Sequence, residues 1–131
     1  MSRVLVIDDE TVVGTILRYA FEANGHQTVY ADGGERGLDM ARSEHPDAIV
    51  LDLMMPSLNG YDVLEILRSS EATRDVPILV LTAVTMSKDR ERCLDSGADM
   101  VMIKPIDPRD VAAAVEALLT AGAEAGAVAG A

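Results

Sequence analysis

The chain has 131 residues, 49% of them apolar, and carries 22 acidic against 11 basic side chains for a formal net charge of −11. That is the size and composition of one domain with a real core, not of a disordered tail. Aromatics are reduced to Phe21, Tyr19, Tyr30 and Tyr61, and the one dense basic cluster, "KDRER" at 88–92, is interrupted by acids. The chain thus lacks both the stacking surfaces and the basic footprint of a nucleic-acid binder, and direct partnership with nucleic acid or an anionic membrane is excluded from the reading. A divalent cation is a better partner. Cys93 stands alone, so no internal disulfide forms, which fits a reducing compartment. The N-terminus has no signal-peptide layout and no apolar run approaches the ~20 residues of a membrane span. A cytoplasmic domain is the expectation.

Along the chain, "VLVI" (4–7) runs directly into Asp8, Asp9 and Glu10. Residues 11–24 have helical spacing, with Val13, Ile16, Leu17, Ala20 and Phe21 on one face and Gly25 as the stop. "TVYA" (28–31) follows, then "AIVL" (48–51) running into Asp52 and "ILVL" (78–81) running into Thr82. In 87–96 only Cys93 and Leu94 are apolar, which reads either as a solvated surface helix or as an element held loosely so that it can shift. "MVMI" (100–103) runs into Lys104 and Pro105. A last helix over 107–120 puts Val111, Ala114, Val115, Leu118 and Leu119 on one face, with Asp107 as N-cap and Pro108 at its first position. Residues 1–120 form one domain without internal repeats. The Ala/Gly stretch 121–131 reads as a frayed helix extension, a linker start or a tail, with no effector domain after it.

The five apolar runs are too short for helices and too continuous for half-exposed strands; strands buried on both faces read this way. Their alternation with helical segments predicts an α/β fold, a single doubly wound parallel sheet with helices on both faces. In such a sheet the C-terminal strand ends line one edge, where ligands bind. Asp8, Asp9, Asp52, Thr82 and Lys104 should therefore converge. Two carboxylates ~4 Å apart repel by roughly 4 kcal/mol at an effective dielectric of 20, so a cluster of three should recruit a cation or hold a proton. An all-oxygen donor set suits Mg²⁺, Mn²⁺ or Ca²⁺, and few carboxylates with room for waters favour Mg²⁺ bridging to a phosphoryl group.

"VLVIDDE", "IVLDLMMPSLNGYDVL", "ILVLTA" and "SGADMVMIKPIDPRDV" together resemble the receiver domain of two-component response regulators, over residues 2–120. The resemblance implies a flavodoxin-like strand order 2-1-3-4-5. It implies that Asp52 is the phosphoacceptor, with a sensor histidine kinase, a phosphotransfer protein or a small phosphodonor upstream. Asp9, Asp52 and the backbone carbonyl of Met54 would hold Mg²⁺, with Mn²⁺ as an alternative, and Asp8 would act through a water. Lys104 would pair with a phosphoryl oxygen, Thr82 would swing its hydroxyl to another, and the Lys104–Pro105 bond would be cis. Phosphorylation would then shift the face formed by helix 87–96, strand 100–103 and helix 107–120 toward a downstream protein partner or a missing effector domain. Such a domain catalyses its own phosphorylation and dephosphorylation but is a signalling protein rather than a metabolic enzyme.

Two positions depart from the family pattern. Val101 stands where an aromatic switch residue is usual, and the last helix keeps only Arg109 of the charges that support dimers, which favours a monomer or a weak dimer. Val84, apolar and two residues after Thr82, should hinder the water that removes the phosphoryl group and so prolong its life. Met55 and Pro56 read as loop packing, and His26 and His45 as ordinary surface residues. Two other readings remain. A Mg²⁺-dependent phosphatase also uses an aspartyl nucleophile, but it usually needs a second acid where this chain has Met54. An interaction module of the same shape that takes no phosphoryl group is the other.

Overall fold

A computed structural model describes residues 2–55, 58–83 and 87–130. Five strands alternate with five helices: β1 (Arg3–Ile7), α1 (Thr11–Ala23), β2 (Gln27–Ala31), α2 (Gly34–Ser43), β3 (Ala48–Asp52), α3 (Gly60–Ser69), β4 (Ile78–Thr82), α4 (Ser87–Asp95), β5 (Met100–Ile103) and α5 (Pro108–Gly130). All pairings are parallel and the order is β2-β1-β3-β4-β5, the predicted doubly wound sheet.

Continuous apolar runs make this sheet because alternate residues feed two cores. Leu5, Ile7, Ile49, Leu51, Ile78 and Val80 face α2, α3 and α4, where they meet Leu38, Val63, Leu64, Leu67 and Cys93. Val4, Val6, Val50, Leu79 and Leu81 face α1 and α5, where they meet Leu17, Phe21, Val111 and Val115. The inner strands β3 and β4 are buried throughout, but β2 and β5 are not. These two lie at the sheet edges and have one strand neighbour each, so burial on both faces holds only for the inner strands.

The helix ends follow local chemistry. After α1, the His26 N–H donates to the Phe21 carbonyl and the Gly25 N–H to Glu22, with Gly25 at φ +83°. Only a residue free of a Cβ takes that left-handed turn cheaply. The same pair of bonds closes α4 through Gly97, φ +114°. Asp107 caps α5 as expected, its Oδ1 accepting from the Arg109 N–H at 2.9 Å. That helix continues to Gly130, so most of the Ala/Gly stretch is helical extension, consistent with the high helix propensity of alanine.

Two further expectations need correction. Ile16 is 44% exposed, because Leu17 and Phe21 take the inward face and Ile16 falls on the flank beside Pro105 and Ile106. His26 is not an ordinary surface residue. Its side chain is 9% exposed, Nδ1 accepts from the Ser2 N–H at 3.3 Å, and Nε2 contacts the Glu116 carboxylate of α5. His45 is exposed, as read. No helix among the described residues is long and apolar enough to cross a membrane.

Candidate functional site

The sheet brings the sequence-predicted residues to one edge. β1 delivers Asp8 and Asp9, β3 ends on Asp52, β4 ends on Thr82, and Lys104 follows β5. Asp52 pairs in register with Leu81, and Thr82 with Ile103, so the polar residues step across neighbouring strands. The Lys104 N–H donates to the Thr82 carbonyl at 2.8 Å, and the Lys104–Pro105 peptide is cis.

Asp8, Asp52 and Thr82 are almost fully buried, whereas Asp9 is exposed. Lys104 Nζ lies 3.5 Å from Asp52 Oδ1 and 3.6 Å from Asp8 Oδ2, and so bridges the two buried carboxylates. Asp8 Oδ1 accepts from the Glu10 N–H at 2.9 Å, and Asp52 Oδ1 from the Met54 N–H at 3.2 Å. An open cleft beside them is lined by Asp9, Leu53, Met54, Met55 and Asn59. Asp8 does not cap α1: the N-cap is Glu10, without a side-chain bond.

The electrostatics follow from burial. Burial, with the Asp8 carboxylate next, pushes Asp52 up to about 7, against the pull of Lys104 and the Met54 N–H. Burial likewise raises Asp8. For Lys104, burial works against the charge, but Asp52, Asp8 and Glu10 together carry it above its ordinary value. Two buried acids sharing one ammonium are therefore short of positive charge.

A hard cation fits that shortfall. Carboxylate oxygens of Asp8, Asp9 and Glu10 lie within 4.8 Å of one another, and the buried Asp8 Oδ2 receives no hydrogen bond among the described residues. Every donor is an oxygen, the set that Mg²⁺ takes.

Glu10 was not singled out from the sequence. It stands 3.9 Å from Lys104, and its signal was the third acid of the "DDE" run. Tyr30 was also missed: its hydroxyl donates to the Asp8 backbone carbonyl, and burial, then Asp8, raises its phenol. Gly60 was missed as well, although it packs directly on the residue after Asp52. Val101 is buried in the core cluster that also holds Cys93 and Ala98, and Tyr61 of α3 packs against that cluster. Pro56 and Val84 lie outside the described residues.

A doubly wound parallel sheet with buried acids, a hydroxyl and a shared ammonium at its C-terminal edge is the arrangement expected of a signalling receiver domain. The response regulator receiver domain model matches residues 4–116, and the chain belongs to that family. Among curated relatives, the alkaline phosphatase synthesis transcriptional regulatory protein PhoP of Bacillus subtilis is 43% identical over 118 residues, 90% of this chain and 48% of PhoP. The chain spans about half the length of the curated relatives it matches. Among solved structures, the Francisella response regulator 1452 receiver domain superposes with a TM-score of 0.86 at 31% identity, covering 92% of this chain and 98% of that one. The receiver domain of the Pseudomonas aeruginosa sensor histidine kinase PA1611, described with a magnesium ion coordinated in its active-site cleft, gives a TM-score of 0.82 at 27% identity, covering 91% and 98%.

Proposed function

We propose that this receiver domain accepts a phosphoryl group on Asp52 from a phosphohistidine of a sensor histidine kinase or phosphotransfer protein, or from a small phosphodonor. The observation that carries the reading is the Lys104 ammonium held between the buried carboxylates of Asp52 and Asp8, 3.5 and 3.6 Å away. One Asp52 oxygen forms the new bond to phosphorus as the phosphorus–nitrogen bond of the donor breaks, and the electron pair leaves with the imidazole. Bound at Asp9, Asp52 and the Met54 carbonyl, with Asp8 acting through a water, Mg²⁺ (or Mn²⁺) would offset the charge that gathers on the phosphoryl oxygens. Lys104 turns from the Asp52 carboxylate to a phosphoryl oxygen, and Thr82, buried at the end of β4, offers its hydroxyl to another.

The added dianion draws Thr82 and Lys104 inward, and with them the ends of β4 and β5. The signal then leaves through α4, β5 and α5 to a protein partner or to an effector domain outside these residues. Residues 1–120 form the signalling unit, and 121–131 are an Ala/Gly-rich tail or the start of a linker. A cytoplasmic monomer or weak dimer that touches neither nucleic acid nor membrane fits the charge of −11.

Intact mass after incubation with acetyl phosphate and Mg²⁺ tests the reading. One added phosphoryl group that is absent in Asp52→Asn and that the domain itself later sheds is expected. No adduct leaves only an interaction module, and turnover of outside phosphate esters makes it a phosphatase.

A further inference from the structure

The acidic loop is held from beneath by a residue the phosphoryl chemistry does not use. Tyr30 lies in β2, in register with Val6 of β1, its ring packed on the core beneath α1. Its hydroxyl donates to the Asp8 carbonyl, and the Asp8 N–H donates to the Ala31 carbonyl at 3.1 Å. Both polar groups of the Asp8 backbone are thus tied to β2. The carbonyl belongs to the planar peptide that leads into Asp9, and a bond to its oxygen resists rotation of that plane. Asp8 is fixed again by the Glu10 N–H. Asp9 is exposed, and the peptide held at the Asp8 carbonyl sets where its side chain starts.

Space for the ring comes from Gly14. A Cβ at that position would stand 2.5 Å from Tyr30 Cε2 and 2.6 Å from Cδ2. Glycine is a poor helix former, and Gly14 is not among the residues of positive φ, so contact and not backbone conformation demands it inside α1.

We propose that Tyr30, seated on Gly14, is a positioning residue that fixes the Asp8–Asp9 peptide and so sets the affinity of the acidic cluster for its divalent cation. The inference rests on the reading of that cluster as the cation site of a phosphoacceptor.

Mn²⁺ binding followed by electron paramagnetic resonance, with Mg²⁺ as competitor, tests it in the full chain. Tyr30→Phe keeps the ring, should lower the melting temperature by only a few degrees, and should weaken both ions by about threefold to tenfold, within the range of one lost hydrogen bond. Its acetyl phosphate labelling rate at saturating Mg²⁺ should match wild type, because a positioning role moves affinity and not the transfer step. Gly14→Ala should weaken the ions in wild type but not beside Tyr30→Ala, where the added methyl has room. Equal affinities of wild type and Tyr30→Phe, or a loss confined to the saturated rate, overturn the inference and leave the phosphoacceptor reading standing. A wild type that binds neither ion overturns both.

Discussion

Lys104 Nζ stands 3.5 Å from Asp52 Oδ1, and the same ammonium reaches Asp8 Oδ2 at 3.6 Å. One cation therefore holds two buried acids that repel each other. Lys104→Ala removes it, and the metal-free protein should lose about 1–3 kcal/mol at pH 7.5, below the cost of a fully buried pair because the acids can take up a proton. Urea unfolding in EDTA measures the loss. It should shrink at pH 5, where more of the acid pair is protonated; the same midpoint for variant and wild type at pH 7.5 would mean the ammonium carries no weight there.

The raised Asp52 carboxyl sets the sign of a pH effect. Its ordinary value is 3.8 and its folded value about 7, so the folded state holds the proton more tightly than the unfolded chain. The group's stabilising contribution is complete below about 4 and is lost as pH rises through 7. Because the whole acidic chain also responds to pH, the readout is the difference between wild type and Asp52→Asn in EDTA. That difference should move against wild type from pH 4 to pH 7.5, and added Mg²⁺ should reverse it at neutral pH, since a bound ion favours the ionised carboxylate. A difference that stays flat across the window would contradict the burial of this acid.

Gly60 ties α3 to the phosphoacceptor strand. A Cβ there would stand 2.5 Å from Leu53 Cα and 2.8 Å from the Leu53 carbonyl oxygen, to which the Gly60 N–H donates at 2.9 Å. These are backbone atoms and cannot step aside as a side chain would. Gly60→Ala should cost about 1–3 kcal/mol as an overpacking change. It should also slow acetyl phosphate labelling, since the shift falls on the residue bonded to Asp52. An alanine variant with wild-type stability and labelling would show that α3 can move off the strand freely.

The parts legible in the sequence are those that leave a local pattern. Aliphatic runs ending in Asp8, Asp52, Thr82 and Lys104 announce both the strands and the edge at which their ends meet. The cis bond before Pro105 and the strand order came only through the family resemblance. Ile16 and the half-exposed β2 and β5 were misplaced because exposure there depends on which strands stand at the edge. Tyr30 with Gly14, Gly60 with Leu53, and His26 with Glu116 are contacts between distant residues, and neither partner has a spacing that names the other. Arg68 belongs with them: from the end of α3 its guanidinium donates to the Gly97, Arg74 and Val76 carbonyls and pairs with Asp99 at 2.8 Å, binding α3 to the turn after α4.

Cys93 offers a probe of whether α4 moves. It is the chain's single thiol, fully buried on α4, and burial pushes it above its ordinary value. Native protein at pH 8 should therefore react slowly with a disulfide reagent, at a rate set by how often the helix lifts from α3. The guanidinium of Arg92 lies 3.8 Å from the centre of the Tyr61 ring on α3 and helps hold the helix down. Arg92→Ala removes a contact of about 0.5–1 kcal/mol, so labelling should quicken about twofold to fivefold. Beryllofluoride with Mg²⁺ stands in for the phosphoryl group and should change the rate in wild type but not in Asp52→Asn. A rate indifferent to beryllofluoride in wild type would take α4 out of the signalling path.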